Sequence, residues 1–195
     1  MYVAPAAIVV GRAGQAAFVI LAASAIVFVR VAILVGVTAP TFLRTAGGPL
    51  AGMFVTVAAI GWWNWRRVRG ESAALLEQEN PSELKPAILF ALLYAGILLA
   101  VAAVKQFFGE GGLYAVALLS GLTDMDAITL SIAQLVHSAQ VAPDTGWRLI
   151  LVAAMSNLVF KTATVAVLGN RQLLGRVAVS FCIAVGVGLL LLGVW

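Results

Sequence analysis

Charge is what this chain lacks most. Of its 195 residues only 10% are Asp, Glu, Lys or Arg, where an ordinary soluble domain carries about 25%. Cys182 is the one cysteine and His137 the one histidine. A lone cysteine excludes an intrachain disulfide and a thiolate metal cluster, and a lone histidine excludes the His-Glu-x-x-His zinc site of metalloproteases. No Ser–His pairing is evident, and aspartyl proteolysis ordinarily needs carboxylates brought together from different helices, so the sequence points away from an enzyme and predicts no cofactor. A basic leader ahead of a short apolar core is also missing. Ala22-Ala23-Ser24-Ala25 lies inside a longer apolar run, which predicts an uncleaved first helix.

What is present is apolar. Hydrophobic residues make up 63% of the chain and the mean hydropathy is +1.06, the composition of a protein that sits in lipid. Runs at about 16–37, 50–65, 84–108, 113–137, 147–168 and 174–195 approach or exceed the roughly 17–25 residues of a membrane-crossing helix. The expectation is an all-α polytopic bundle of six transmembrane helices in one integral domain, 1–195. Thr38 to Pro49, with two prolines and Gly47-Gly48, reads as a turn. Gly70 to Glu83 is the one hydrophilic stretch and reads as a solvated loop. Ser82 caps and Pro86 opens the third span, and Gly109-Glu110-Gly111-Gly112 is a tight connection to the fourth. Trp62, Trp63 and Trp65 run into Arg66, Arg67 and Arg69, an aromatic belt handing over to headgroup contacts.

The formal charge of +4 is spread over helix ends, which marks topology and not nucleic-acid binding. With the second-to-third loop inside, Arg12, Arg66, Arg67, Arg69, Lys85 and Arg148 are inner, and Arg44, Lys105, Arg171 and Arg176 outer. That balance predicts both termini in the cytoplasm. Three spans followed by three more enter with opposite orientation, which permits a 3+3 inverted repeat.

Two carboxylates interrupt the fourth run at Ser120-Gly121-Leu122-Thr123-Asp124-Met125-Asp126. An Asp at a helix centre costs roughly 2.5–3.5 kcal/mol on insertion scales and survives by pairing, by facing a bundle interior or by lining a water-filled path. Gly121 and the Thr123-x-x-Asp126 capping box predict a broken fourth helix that restarts at Thr123. At about 100° per residue Asp124 and Asp126 point some 160° apart. Arg30 in the first span and Lys161 in the fifth fall at similar predicted depth. With them, Asp124 and Asp126 can form a buried, nearly neutral cluster. Thr123, Thr129, Ser131 and Asn157 offer neutral oxygens nearby. An all-oxygen set of this kind suits Mg²⁺ or another hard cation, with Asp124 and Asp126 as metal ligands or proton carriers and Arg30 and Lys161 as displaceable counter-ions. An anion held by Arg30 and Lys161 is the mirror reading. A third reading, from another class, is a regulatory or assembly subunit whose charges fix packing.

Ser24-Ala25 through Phe28-x-Arg30, Asn80-Pro81-x-Glu83-Leu84, Ser120 through Thr129, and Asn157 with Lys161 together resemble the C-terminal membrane domain, of uncharacterised function, of the MgtC/SapB family of bacterial inner-membrane proteins. The resemblance implies a protein of the bacterial inner membrane; together with the polar site, the expectation is a multi-pass homodimer in the lipid bilayer that moves a small ion, a cation before an anion. The resemblance implies a connection to magnesium homeostasis only through the family's other, N-terminal domain.

Overall fold

A computed structural model describes residues 6–68 and 112–195, together with Ile88 and Leu92. The described residues are all-helical. They form α1 (Ala6–Thr38), α2 (Pro40–Val68), α3 (Leu113–Thr123), α4 (Met125–His137), α5 (Pro143–Leu168) and α6 (Arg171–Val194). Within α1, α2, α5 and α6, the stretches Ala13–Thr38, Pro40–Arg67, Pro143–Leu168 and Arg171–Val194 are long and apolar enough to cross a membrane. The expected third span at 84–108, the loop at 70–83 and nearly all of the connection at 109–112 lie outside the described residues.

α1 and α2 form an antiparallel hairpin joined by Ala39 alone, whose N–H donates to Val35 O at 2.8 Å. The expected turn from Thr38 to Pro49 therefore gives way to helix. Pro40 occupies the first helical position, where a missing N–H costs nothing, and the helix continues through Pro49. Prolines are tolerated in membrane helices where neighbours resatisfy the freed backbone groups. Ala17, Leu21, Ala25, Phe28, Val31 and Val35 on α1 are buried at steps of three or four residues, as are Phe42, Ala46, Leu50, Met53 and Val57 on α2. These are the facing ridges of a helix pair. Val19, Ile26, Ile33 and Val37 on α1 stay exposed, as lipid-facing residues do.

Contacts between elements fix the directions of the others. Asn64 of α2 lies at 3.5 Å from Ser180 of α6, and a Cβ on Gly48 would stand 2.9 Å from the Trp195 ring, so α6 opposes α2. Lys161 of α5 meets Ser24 of α1 while Gly146 of α5 packs on Phe42 beside the α1–α2 turn, so α5 opposes α1. Asp126 at the start of α4 meets Arg30, and Val136 near its end lies against Gly146, so α4 runs with α1. Strict alternation of crossings predicts the reverse for both α4 and α5. The inverted relation between halves therefore does not hold for these helices, and the described chain ends at the opposite face of the bundle from the start of α1. Alternation counts every apolar run as one crossing, whereas these directions are set by side-chain contacts.

Helix ends follow from local chemistry. α5 starts at Pro143, earlier than the expected 147, with Pro again in the first turn. Asn170 caps α6 by accepting from Leu173 N–H at 2.8 Å. At the far end of α6, Arg148 of α5 donates to Leu192 O at 2.8 Å, satisfying one of the carbonyls a helix terminus leaves open.

Candidate functional site

The expected break in the fourth span is real but falls at Asp124, not at Gly121 or Thr123. Asp124 takes an extended backbone, φ −143° and ψ 100°, which is the conformation of an N-cap. Its Oδ1 accepts the N–H groups of Asp126 at 2.9 Å and Ala127 at 3.0 Å. Thr123 Oγ1 instead donates back to Ser120 O at 3.2 Å, closing the end of α3. The two pieces have 11 and 13 residues, about 16 and 20 Å at 1.5 Å per residue. Neither reaches across a hydrocarbon core of about 30 Å.

Gly121 has a different task. A Cβ there would come within 2.4 Å of Ala153 O and 2.6 Å of Ala153 Cα, so only glycine lets the backbones of α3 and α5 touch. That contact is secured by polar side chains of α5. Asn157 Nδ2 donates to Gly121 O at 3.0 Å and Ser156 Oγ to Leu118 O. In hydrocarbon an open carbonyl has no water to turn to, so donors on a neighbouring helix are required. Asn157 is thus oriented by its amide nitrogen, which is engaged with backbone. Thr129 is fully buried and its Oγ1 donates to Met125 O at 2.7 Å.

Asp126, on the second helical position of α4, turns to α1 and pairs through Oδ2 with the Arg30 guanidinium. Its other oxygen, Oδ1, is buried and has no hydrogen-bond partner among the described residues. Asp124 looks elsewhere, into a cavity of about 310 Å³ whose polar lining is Ser120, Thr123, Asp124 and Ser131 and whose apolar wall includes Leu113, Ile132 and Leu149. The two carboxylates therefore serve opposite sides of the restarted helix and do not share one ligand. Among the described residues no three His, Cys, Asp or Glu side chains come together.

Lys161 does not join this group. Its Nζ donates to Ser24 Oγ at 3.1 Å, and Ser24 Oγ donates to Ile20 O at 2.7 Å. The single four-charge cluster expected from depth resolves into an Arg30–Asp126 pair and a separate Lys161–Ser24 contact. Arg30 and Ser24 are six residues apart on α1, about 9 Å along its axis. A common depth for Arg30 and Lys161 requires spans one and five to run the same way, and α1 and α5 run in opposite directions. Lys161 borders its own apolar space of about 360 Å³ with Ile20, Phe160 and Thr164.

Ser120, Ser24 and Ser156 are the site residues that reasoning from charge overlooks. Ser156 was legible in principle, since Ser156-Asn157 is the one polar dipeptide on α5 that falls opposite Gly121. Ser24 is marked only by its place in the Ser24-Ala25 through Phe28-x-Arg30 motif, which says nothing of Lys161 as its partner.

Long apolar helices around a discontinuous one, with charged groups near mid-depth, define a polytopic membrane protein with an intramembrane polar site. Residues 9–169 match the family model described as a domain of unknown function, DUF4010, and the chain belongs to that family. An uncharacterized protein of Aquifex aeolicus (strain VF5) is 35% identical over 103 residues, which is 53% of this chain and 45% of the relative. The aligned stretch thus spans less than half of that relative. No solved structure matches.

Proposed function

We propose that the protein moves a small cation across the membrane through the cavity beside the α3–α4 break. One observation carries the reading: the carboxylate that caps α4 is also the charged wall of that cavity, and Ser120, Thr123 and Ser131 add only oxygens to it. A broken helix offers the same ingredients used in transporters, a positive helix start and exposed backbone at mid-membrane. One carboxylate with three hydroxyls fits a monovalent cation, or a Mg²⁺ that keeps most of its water. The resemblance to the MgtC/SapB family is the reason to include Mg²⁺ among the ions tried.

Arg30 and Asp126 then form the flanking charge pair. Displacing Arg30 exposes a carboxylate with one oxygen unpartnered among the described residues, a suitable acceptor for a proton or for the passing cation. The Arg30 side chain is 59% exposed on the described bundle, about two-thirds of the way along the apolar stretch Ala13–Thr38. A second copy packed on this face would remove it from lipid, which supports a homodimer. For orientation, Arg66, Arg67, Arg171 and Arg176 gather at the end where α1 begins, and Arg44 and Arg148 at the other. By the positive-inside rule the first end is cytoplasmic, in the bacterial inner membrane that the resemblance implies.

Flux through proteoliposomes tests the reading with Asp124→Asn. Asn is as good an N-cap as Asp, so the fold is retained while the charge is lost. Flux of H⁺, Na⁺, K⁺ or Mg²⁺ by the native chain, abolished in this variant, is the expected result. Absence of flux for every cation, or unchanged flux in the variant, sinks it and leaves a structural or regulatory role. Lys161, hydrogen-bonded to Ser24 and paired with no carboxylate among the described residues, favours an anion path as the second reading. Chloride flux sensitive to Lys161→Met would select that path.

A further inference from the structure

At the end of the bundle where α1 begins, α2 and α6 part to leave a groove of about 570 Å³. Its mouth carries Arg67 from α2 and Arg176 from α6, and among the described residues no acidic side chain lines it. Reading the chain by alternation puts these two arginines on opposite faces of the membrane. The antiparallel packing of α6 on α2 brings them together instead.

The groove is graded along the membrane normal. Arg67 and Arg176 lie toward the helix ends. One turn deeper, Asn64 Nδ2 lies 3.5 Å from Ser180 Oγ, which itself donates to Arg176 O at 2.8 Å. Deeper still the walls are apolar, with Ile60 on one side and Ile183 on the other. Trp63, 61% exposed, lies beneath the Arg67 guanidinium at 5.2 Å from its ring centre, which holds that cation at the interfacial level that tryptophan prefers. Guanidinium groups present a planar fork that matches phosphate oxygens two at a time. Basic pockets between membrane helices recognise anionic head groups by these means. A free phosphate would use the mouth and leave the apolar floor unfilled, whereas a phospholipid uses both.

We propose that this groove binds one anionic phospholipid, its phosphodiester between Arg67 and Arg176 and an acyl chain along Ile60 and Ile183. The site is separate from the α3–α4 cavity and stands whether or not the protein moves ions. Gly175 lines the groove, and a Cβ on it would meet nothing within 4 Å. A bulky side chain there would occupy the lipid's place without changing charge.

Native mass spectrometry of the full chain in detergent, titrated with phosphatidylglycerol and with phosphatidylcholine of the same acyl chains, tests the proposal. The expected result is one phosphatidylglycerol retained in preference to phosphatidylcholine. Arg67→Gln and Arg176→Gln should each weaken that binding roughly fivefold, from about 1 kcal/mol per basic residue near a charged surface. Gly175→Phe should abolish the preference with both arginines intact. Arg66→Gln, on the same belt but off the groove, should leave it unchanged. Equal retention of the two lipids, an equal loss in Arg66→Gln, an undiminished preference in Gly175→Phe, or displacement of the lipid by excess inorganic phosphate would each overturn it.

Discussion

Removing either member of the Arg30–Asp126 pair should cost more than removing both. Arg30 comes from α1 and Asp126 from the first turn of α4, and the pair lies about two-thirds of the way along the α1 span. Arg30→Gln leaves a carboxylate in a region of low polarity, and Asp126→Asn leaves a guanidinium. A lone charge at the centre of a membrane helix costs about 2.5–3.5 kcal/mol on insertion scales. Part of that is recovered because both side chains are partly exposed, 59% and 37%, and can reach toward an interface. Each single variant should therefore lose about 2 kcal/mol. The double variant Arg30→Gln/Asp126→Asn exchanges an ion pair for two amides that can hydrogen-bond to each other, and should lose about 1 kcal/mol or less. The interaction energy from the cycle is then about 3 kcal/mol, far above the roughly 0.5 kcal/mol scatter of independent sites. Unfolding by sodium dodecyl sulfate in mixed micelles, followed by tryptophan fluorescence, measures all four proteins. Additive losses would show that the two side chains do not depend on one another, and the pair would have no part in joining α1 to α4.

Substitutions at four other positions probe the local geometry. Gly121→Ala drives a methyl group into the Ala153 backbone at 2.4 Å and should cost several kcal/mol or prevent folding, because backbone cannot yield as a side chain can. Gly188→Ala meets the Met155 Sδ at 2.6 Å, and flexible Met can move aside, so the same assay should register about 1–2 kcal/mol. Asp124→Ala removes an acceptor for two N–H groups and should lose about 1–2 kcal/mol, with Asp124→Asn near native stability. Equal losses for Ala and Asn would show that charge, not capping, sets the cost. Ala139 follows α4 at φ 57°, with Gln140 N–H bonded to Leu135 O at 2.9 Å, the left-handed helix end that glycine favours. Ala139→Gly should gain about 0.5–1 kcal/mol in the same titration.

The sequence was informative wherever periodicity and composition decide, and silent where a partner helix decides. The apolar runs of α1, α5 and α6 stand out because nothing else in a chain so poor in charge can be made of them. The α1–α2 turn was misread because Pro40, Gly47, Gly48 and Pro49 are breakers in isolation, while Pro at a first helical position is harmless and Gly48 is needed to seat Trp195. Thr123 and Asp124 are both competent caps one residue apart. The choice of Asp124 became visible only with its two accepted N–H groups. The opposite aim of Asp124 and Asp126 follows from helical geometry and was legible. Their partners were not, because the direction of α4 and α5 relative to α1 depends on contacts such as Phe42 with Gly146 that no spacing rule encodes.

Ala39 has a consequence for how this protein enters a membrane. A connection of one residue leaves almost no polar chain to be carried across the bilayer between α1 and α2, so the far side receives a turn instead of a loop. The two helices can zip together as soon as the second is synthesised, since closing so short a connection costs little chain entropy. The hairpin is thus a ready-made insertion unit, already presenting Ser24 and Arg30 on α1 to the helices that arrive later. Lengthening that connection with a flexible insert would uncouple insertion of the two helices while leaving every contact of the finished bundle available.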